Sequence, residues 1–205
     1  MKLLITGFDP FGGGKVNPSW EAVKKLPNKI DGIDIVKLEI PTVFRKSGRI
    51  LFEAIEKEKP NIVICVGQGG KRCDISIERI AINIDDAGRE DNEGNKPEGD
   101  IIFEDGKNAY FSNLPIKSIV EEIKKEGIPA SISNNAGTYV CNHIMYSLLY
   151  YLEKKGLKNV RGGFIHIPLC PEQLIDKDPA PSMDINLVVR ALKKAIQAIG
   201  KSFEK

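Results

Sequence analysis

Short strand-like apolar runs alternate with amphipathic helical stretches along the whole chain, the pattern of a mostly parallel sheet covered by helices. Strands are predicted at Leu3 to Thr6, Asp34 to Ile40, Asn61 to Val66, Ile75 to Ile84, Ala130 to Ser133 and Gly163 to Ile167. The first helix opens at Asn17 and Pro18, a cap residue followed by proline at the first helical position, and runs to Leu26. The second covers Val43 to Lys59, with Pro60 as its stop. Three more cover Ile116 to Glu126, Cys141 to Lys155 and Ser182 to Ile199, closed by Gly127, Gly156 and Gly200. Between them, Asp85 to Asn113 is polar and glycine-rich, a long excursion with a short hairpin expected around Asp100 to Tyr110. Pro168 to Ser182, rich in proline, is a second candidate lid.

A length of 205 residues suits a single domain, residues 1–205, and 41% hydrophobic residues suffice for a core that needs no metal or disulfide. No apolar run approaches the roughly 18 to 20 residues of a membrane span, and MKLLITGF enters a strand pattern at once, so a cytoplasmic protein is expected. The charges, 30 basic and 28 acidic, are interspersed, which leaves no footprint for nucleic acid or a membrane surface and points to a small or neutral partner.

Cys65, Cys73, Cys141 and Cys170 form no C-x-x-C pair and have only His143 and His166 to join them, so no metal site is expected. Cys65 sits in the apolar run IVICV and reads as core. Cys73 and Cys170 lie at loop edges as bystanders, with pairing of Cys170 across a subunit contact left open. Cys141 differs, because it stands between a strand and the start of an apolar helix. Unpaired amides and the helix dipole favour thiolate there and can hold an oxyanion.

A reacting thiol needs an imidazole. His143 follows Cys141 by two positions, roughly 200° around a helix, so the two side chains point apart. His166 remains, near the carboxyl end of its strand, where sites of parallel sheets assemble. For a carboxylate to orient the imidazole, period-2 alternation places Glu78 on one face with Ile80, Ile82 and Ile84, where a charge needs a partner. The plain alternatives are a buried structural cysteine, a satisfied core histidine, and a glutamate paired with an edge lysine.

The run Gly7-Phe8-Asp9-Pro10-Phe11-Gly12-Gly13-Gly14-Lys15 occupies the place of a phosphate loop but has the spacing of neither G-x-G-x-x-G nor a P-loop. Its glycines let the backbone fold so that Phe8 and Phe11 flank an apolar ligand, unless the two rings simply plug the loop onto the core.

Taken together, TGFDPFGG with Asn17-Pro18-Ser19, the segment Gly67 to Asn83, the segment Ser133 to Asn142, and Gly163 to Pro168 with Pro171-Glu172-Gln173 resemble the pyrrolidone carboxyl peptidase (pyroglutamyl peptidase I) family over essentially the whole length. The resemblance implies a three-layer open α/β sandwich of the phosphorylase/hydrolase type, a homotetramer, no cofactor, and removal of N-terminal 5-oxoproline from peptides. It implies Cys141 as nucleophile, His166 as general base and acid, and Glu78 as the orienting carboxylate. Phe8, Phe11, Asn17, Gln68, Tyr139 and Val140 match the substrate pocket. One departure stands out: Gly88 occupies the place of the arginine that the family puts near the oxyanion, and Arg89 follows one position later, unassigned. Two rival readings remain, a phosphorylase-like enzyme binding phosphate and a nucleoside, and a ligand-binding module in which Cys141 is core.

Overall fold

Strands buried on both sides should send alternate residues to different layers, and β1 (Lys2–Phe8) does so: Leu3 and Ile5 join one core cluster, Leu4 and Phe8 the other. The structure, a computed structural model, describes residues 1–203. After β1 come α1 (Pro18–Lys24), β2 (Lys29–Ile30), β3 (Ile33–Ile40), α2 (Lys46–Glu58), β4 (Ile62–Gln68), β5 (Ile75–Glu78), β6 (Ile80–Ile82), β7 (Asp85–Asp86) and β8 (Glu98–Asp100). Then follow β9 (Ala109–Phe111), α3 (Ile116–Lys125), β10 (Ala130–Ser133), α4 (Val140–Lys154), β11 (Arg161–Ile167) and α5 (Ile185–Lys201).

Seven strands form one sheet in the order β10-β5-β11-β4-β1-β3-β2. In β4, Ile62, Ile64 and Val66 face α1, α3 and α5, while Val63 and Cys65 face α2 and α4. The α/β layering is therefore as the alternation of elements requires. β11, β4, β1 and β3 are parallel, whereas β5 and β10, parallel to each other, run opposite to β11. Phe8, Gln68 and His166 consequently stand at or beside the carboxyl ends of three adjacent parallel strands.

Several expected elements change. The single strand Ile75 to Ile84 is broken, because the Arg79 backbone bridges two sheets: its N–H donates to Ser133 O at 2.8 Å and its carbonyl accepts from Ser112 N at 2.8 Å. β6 then pairs with β9, and Ala81 is its buried residue while Ile82 is exposed, so Glu78 shares no face with Ile80, Ile82 and Ile84. The hairpin around Asp100 to Tyr110 does not form. β8 pairs with β7 and β9 with β6, both partners lying earlier in the chain. The second helix starts at Lys46, since Arg45 before it holds φ +58°. The last starts at Ile185, with Asp184 Oδ1 accepting from Asn186 N and Leu187 N, and Gly200 lies inside it rather than closing it. Cys170 stands at a loop edge as expected, at the cap of the 3-10 turn after β11, but it is buried in the core, and burial pushes its thiol above the ordinary range. Within 168–182, one turn of 3-10 helix covers Pro171–Leu174. No helix among the described residues is long and apolar enough to cross a membrane.

Candidate active site

The reversed strand β5 decides how His166 meets Glu78. In the antiparallel pairing His166 lies opposite Ser76, so Glu78, two residues on, is its diagonal neighbour on the same face, within reach of a long side chain. Glu78 Oε1 stands 2.8 Å from His166 Nδ1, and the carboxylate is fully buried. With Nδ1–H donating to Glu78, the imidazole keeps Nε2 as its acceptor. His166 packs its ring on Phe164, 4.7 Å between centroids, and lines a cavity of about 440 Å³ at the carboxyl edge of the sheet.

Cys141 lines the same cavity from the second position of α4. The first-turn N–H groups of a helix have no intrahelical carbonyl, and Tyr139 at the cap supplies no side-chain acceptor, so these amides are free for an oxyanion. Gly67 gives the sulfur its room, since a Cβ there would come within 2.9 Å of Cys141 Sγ and 2.5 Å of Phe164 Cζ. The electrostatics run against the expected thiolate. Burial first, then the Glu78 carboxylate and Cys65, push the Cys141 thiol up to about 12, and only Arg89 pulls it down. Burial and the neighbouring negative charge thus favour the protonated sulfur, whose proton leaves during attack. Alkylation of Cys141 by iodoacetamide, followed by peptide mapping, should rise about tenfold per pH unit from pH 7 to 9. A rate already flat at pH 6 would mean a resting thiolate.

His143 is held elsewhere, as the helical spacing requires. Its Nδ1 lies 2.8 Å from Asp85 Oδ2, and its Nε2 accepts from the Arg45 backbone N–H at 2.9 Å. It does not line the cavity with Cys141.

Phe8, Phe11, Asn17, Gln68, Tyr139 and Val140, each expected in the pocket, all line the cavity. Phe11 and Tyr139 face each other at 6.2 Å. Asn17, nearly fully buried, caps α1 through Oδ1, which accepts from Ser19 N and Ser19 Oγ, and its Nδ2 donates to Asp9 O at 2.9 Å.

Four participants were not anticipated as site residues. Arg72 Nη2 lies 2.9 Å from Glu78 Oε1, from Ser133 Oγ and from Asn135 O, tying the carboxylate to the loop that leads toward Cys141. Glu78 thus pairs with an arginine and a histidine rather than an edge lysine. Arg89 does reach the cavity, its guanidinium 5.0 Å from the Phe11 ring centroid and 5.7 Å from that of Tyr139. Thr42 and Thr138 complete part of the wall. Thr42 comes with the Asp9 carboxylate, which accepts from Thr42 N at 2.7 Å and from Asn92 Nδ2 at 3.1 Å, pulling three loops together. Among the described residues no group of three His, Cys, Asp or Glu side chains is arranged to hold a metal ion.

The sequence model of the pyroglutamyl peptidase family matches residues 1–202. The chain belongs to that family. It is 63% identical over 203 residues to the pyrrolidone-carboxylate peptidase of Thermosipho africanus, covering 99% of this chain and 98% of the relative. It is 59% identical over 197 residues to that of Brachyspira hyodysenteriae, covering 96% and 98%. Its fold is similar to the crystal structure of Bacillus amyloliquefaciens pyroglutamyl peptidase I, with a TM-score of 0.93 at 51% identity and coverage of 98% and 97% of the two chains. A mutant pyrrolidone carboxyl peptidase from Pyrococcus furiosus matches at TM-score 0.95 and 43% identity, covering 99% and 100%. The layering of this chain is thus that of the pyroglutamyl peptidases, an α/β fold.

Proposed function

We propose that this chain removes N-terminal pyroglutamate (5-oxoproline) from peptides as a cysteine exopeptidase, with Cys141, His166 and Glu78 as its catalytic residues. The observation that carries the reading is the Glu78–His166 pair opening, through Nε2, onto the cavity that also holds the Cys141 thiol. As Sγ attacks the acyl carbonyl carbon, its proton passes to His166 Nε2 and the carbonyl oxygen takes the negative charge, facing the amides at the start of α4. The imidazolium, supported by Glu78, then gives that proton to the departing amine nitrogen. The C–N bond breaks, leaving a thioester. Water enters, loses a proton to Nε2 and attacks the thioester carbon, and the C–S bond breaks to release pyroglutamate and restore the thiol. On this reading Phe8 and Phe11 hold the flat lactam, with Tyr139 and Val140 beside the nucleophile. The family resemblance further suggests the cytoplasm as the place of action and a homotetramer as the assembly.

Turnover of a fluorogenic pyroglutamyl amide tests the reading, and its absence from folded protein would sink it. Stabilisation against heat by phosphate rather than by 5-oxoproline would point to the phosphorylase-like rival. Glu78→Gln keeps the hydrogen-bonding shape but removes the charge behind the imidazolium, and kcat should fall by about 10² to 10⁴. A variant with full kcat would take Glu78 out of the mechanism.

A further inference from the structure

Gln173 sits on the 3-10 turn after β11, behind the cavity wall, and its carboxamide touches three segments that build that wall. Oε1 accepts from the Cys170 backbone N–H at 3.1 Å. Nε2 donates to Gln68 Oε1 at 3.0 Å and makes a longer contact of 3.4 Å with the Val16 carbonyl. Both ends of this carboxamide are set by groups with no choice of role, because a backbone N–H only donates and a backbone carbonyl only accepts. Gln173 must therefore present Nε2 to Gln68, and Gln68 must answer with Oε1. The Nε2 of Gln68 then has no hydrogen-bond partner among the described residues, on a side chain that lines the cavity. Asn17 is oriented by the same logic: Ser19 N claims its Oδ1, which leaves one N–H of Nδ2 beyond the bond to Asp9 O. Both cavity carboxamides thus have spare donors, and their oxygens are engaged behind the wall.

We propose that Gln173 is a positioning residue that holds the Gln68 carboxamide with its NH₂ toward the cavity, so that the site selects a ring bearing a carbonyl oxygen. The inference rests on the pyroglutamyl reading above and adds what enforces it. Gln173 touches neither the nucleophile nor the cavity, and it acts only through Gln68. Gln173→Glu reverses the polarity. One carboxylate oxygen keeps the Cys170 N–H, while the other now faces Gln68 and accepts only, so Gln68 must turn its NH₂ back and set Oε1 against the ring carbonyl.

The test measures pyroglutamyl-amide kinetics and calorimetric binding of free 5-oxoproline for Gln173→Glu and Gln173→Ala, each alone and combined with Gln68→Ala. Thermal melting confirms that each variant is folded. Gln173→Glu should raise KM by about 10- to 100-fold, with kcat within about threefold, and weaken 5-oxoproline binding by a similar factor. Gln173→Ala frees Gln68 without reversing it and should raise KM by about three- to fivefold; it also carries the test if Gln173→Glu does not fold. With Gln68 already alanine, either change at Gln173 should add less than about twofold. An unchanged KM, or the same loss in the Gln68→Ala background, overturns the proposal, since a merely structural role would not depend on Gln68. If the wild type cleaves the amide while the Gln173 variants match it, only this inference falls. If the wild type neither cleaves the amide nor binds 5-oxoproline, both readings fall together.

Discussion

Cys141→Ala should lower turnover of a pyroglutamyl amide by about 10⁴-fold or more, His166→Ala by a comparable factor, and the double variant by no more than either. On the proposed mechanism the losses overlap because thiol and imidazole act as one unit: a sulfur whose thiol burial pushes up to about 12 has little nucleophile to offer until Nε2 takes its proton. Cys141→Ala should barely change stability, whereas His166→Ala leaves the buried Glu78 carboxylate, whose Oε2 already lacks a partner, to Arg72 alone and should lose roughly 1 to 3 kcal/mol. His143→Ala is the informative contrast. It strips the partner from the buried Asp85 carboxylate, whose Oδ1 already lacks one, and removes the acceptor of the Arg45 N–H. That variant should lose roughly 1 to 3 kcal/mol of stability while keeping kcat within about threefold at a temperature where it remains folded. Folded His143→Ala without activity, beside an active His166→Ala, would reverse the assignment.

The second large effect is selectivity: a pyroglutamyl amide should be preferred over a prolyl amide by about 10³ or more in kcat/KM. Proline has the same ring size but lacks the lactam carbonyl and carries a protonated amine at neutral pH. In this cavity that amine would face the spare N–H groups of Asn17 and Gln68, which cannot accept from it, and the like-charged Arg89 guanidinium, which already lies over the Phe11 face that could hold a cation; Asp86 is the one carboxylate in the lining. The donors meant for a carbonyl would also be left unpaired, which discriminates far more strongly than a missing methylene in an apolar pocket. Parallel assays of the two fluorogenic amides from pH 6 to 9 check this. Comparable rates would contradict it. Prolyl cleavage that rises to match as its amine deprotonates would show that charge exclusion works alone and that the carboxamides do not read the ring.

Features whose causes are local were legible in the sequence. Asn17 followed by Pro18 announces a helix start because cap and ring act within one turn, and α1 begins there. His143 was separable from Cys141 by helical geometry alone, and His166 was placed at the sheet edge by its position before Pro168. Glu78 was singled out for a reason the structure does not support: the alternation extended across Arg79 belongs to two sheets, and an antiparallel pairing with β11 is what brings the carboxylate to the imidazole. No local signal announces such a reversal, because strand direction is settled by long-range packing. Arg72 was invisible for a similar reason. It turns back on Glu78 from a loop whose Gly69 leaves space where a Cβ would lie 2.5 Å from Arg72 Cγ. Likewise the pairings of β8 and β9 with strands earlier in the chain rest on partners that no window of sequence contains. Arg89 stands one position out of register with the family pattern, yet its side chain is long enough to reach between Phe11 and Tyr139.

On the proposed mechanism Cys141 carries the acyl group. An activated pyroglutamyl ester makes acylation fast, and acid quenching traps the thioester before water reaches it, so peptide mass spectrometry of the quenched protein locates the acyl group. One pyroglutamyl group should appear on the peptide containing Cys141, and none should appear in Cys141→Ala. Steady turnover with no adduct on Cys141, or an adduct on Cys73 in its place, would contradict it.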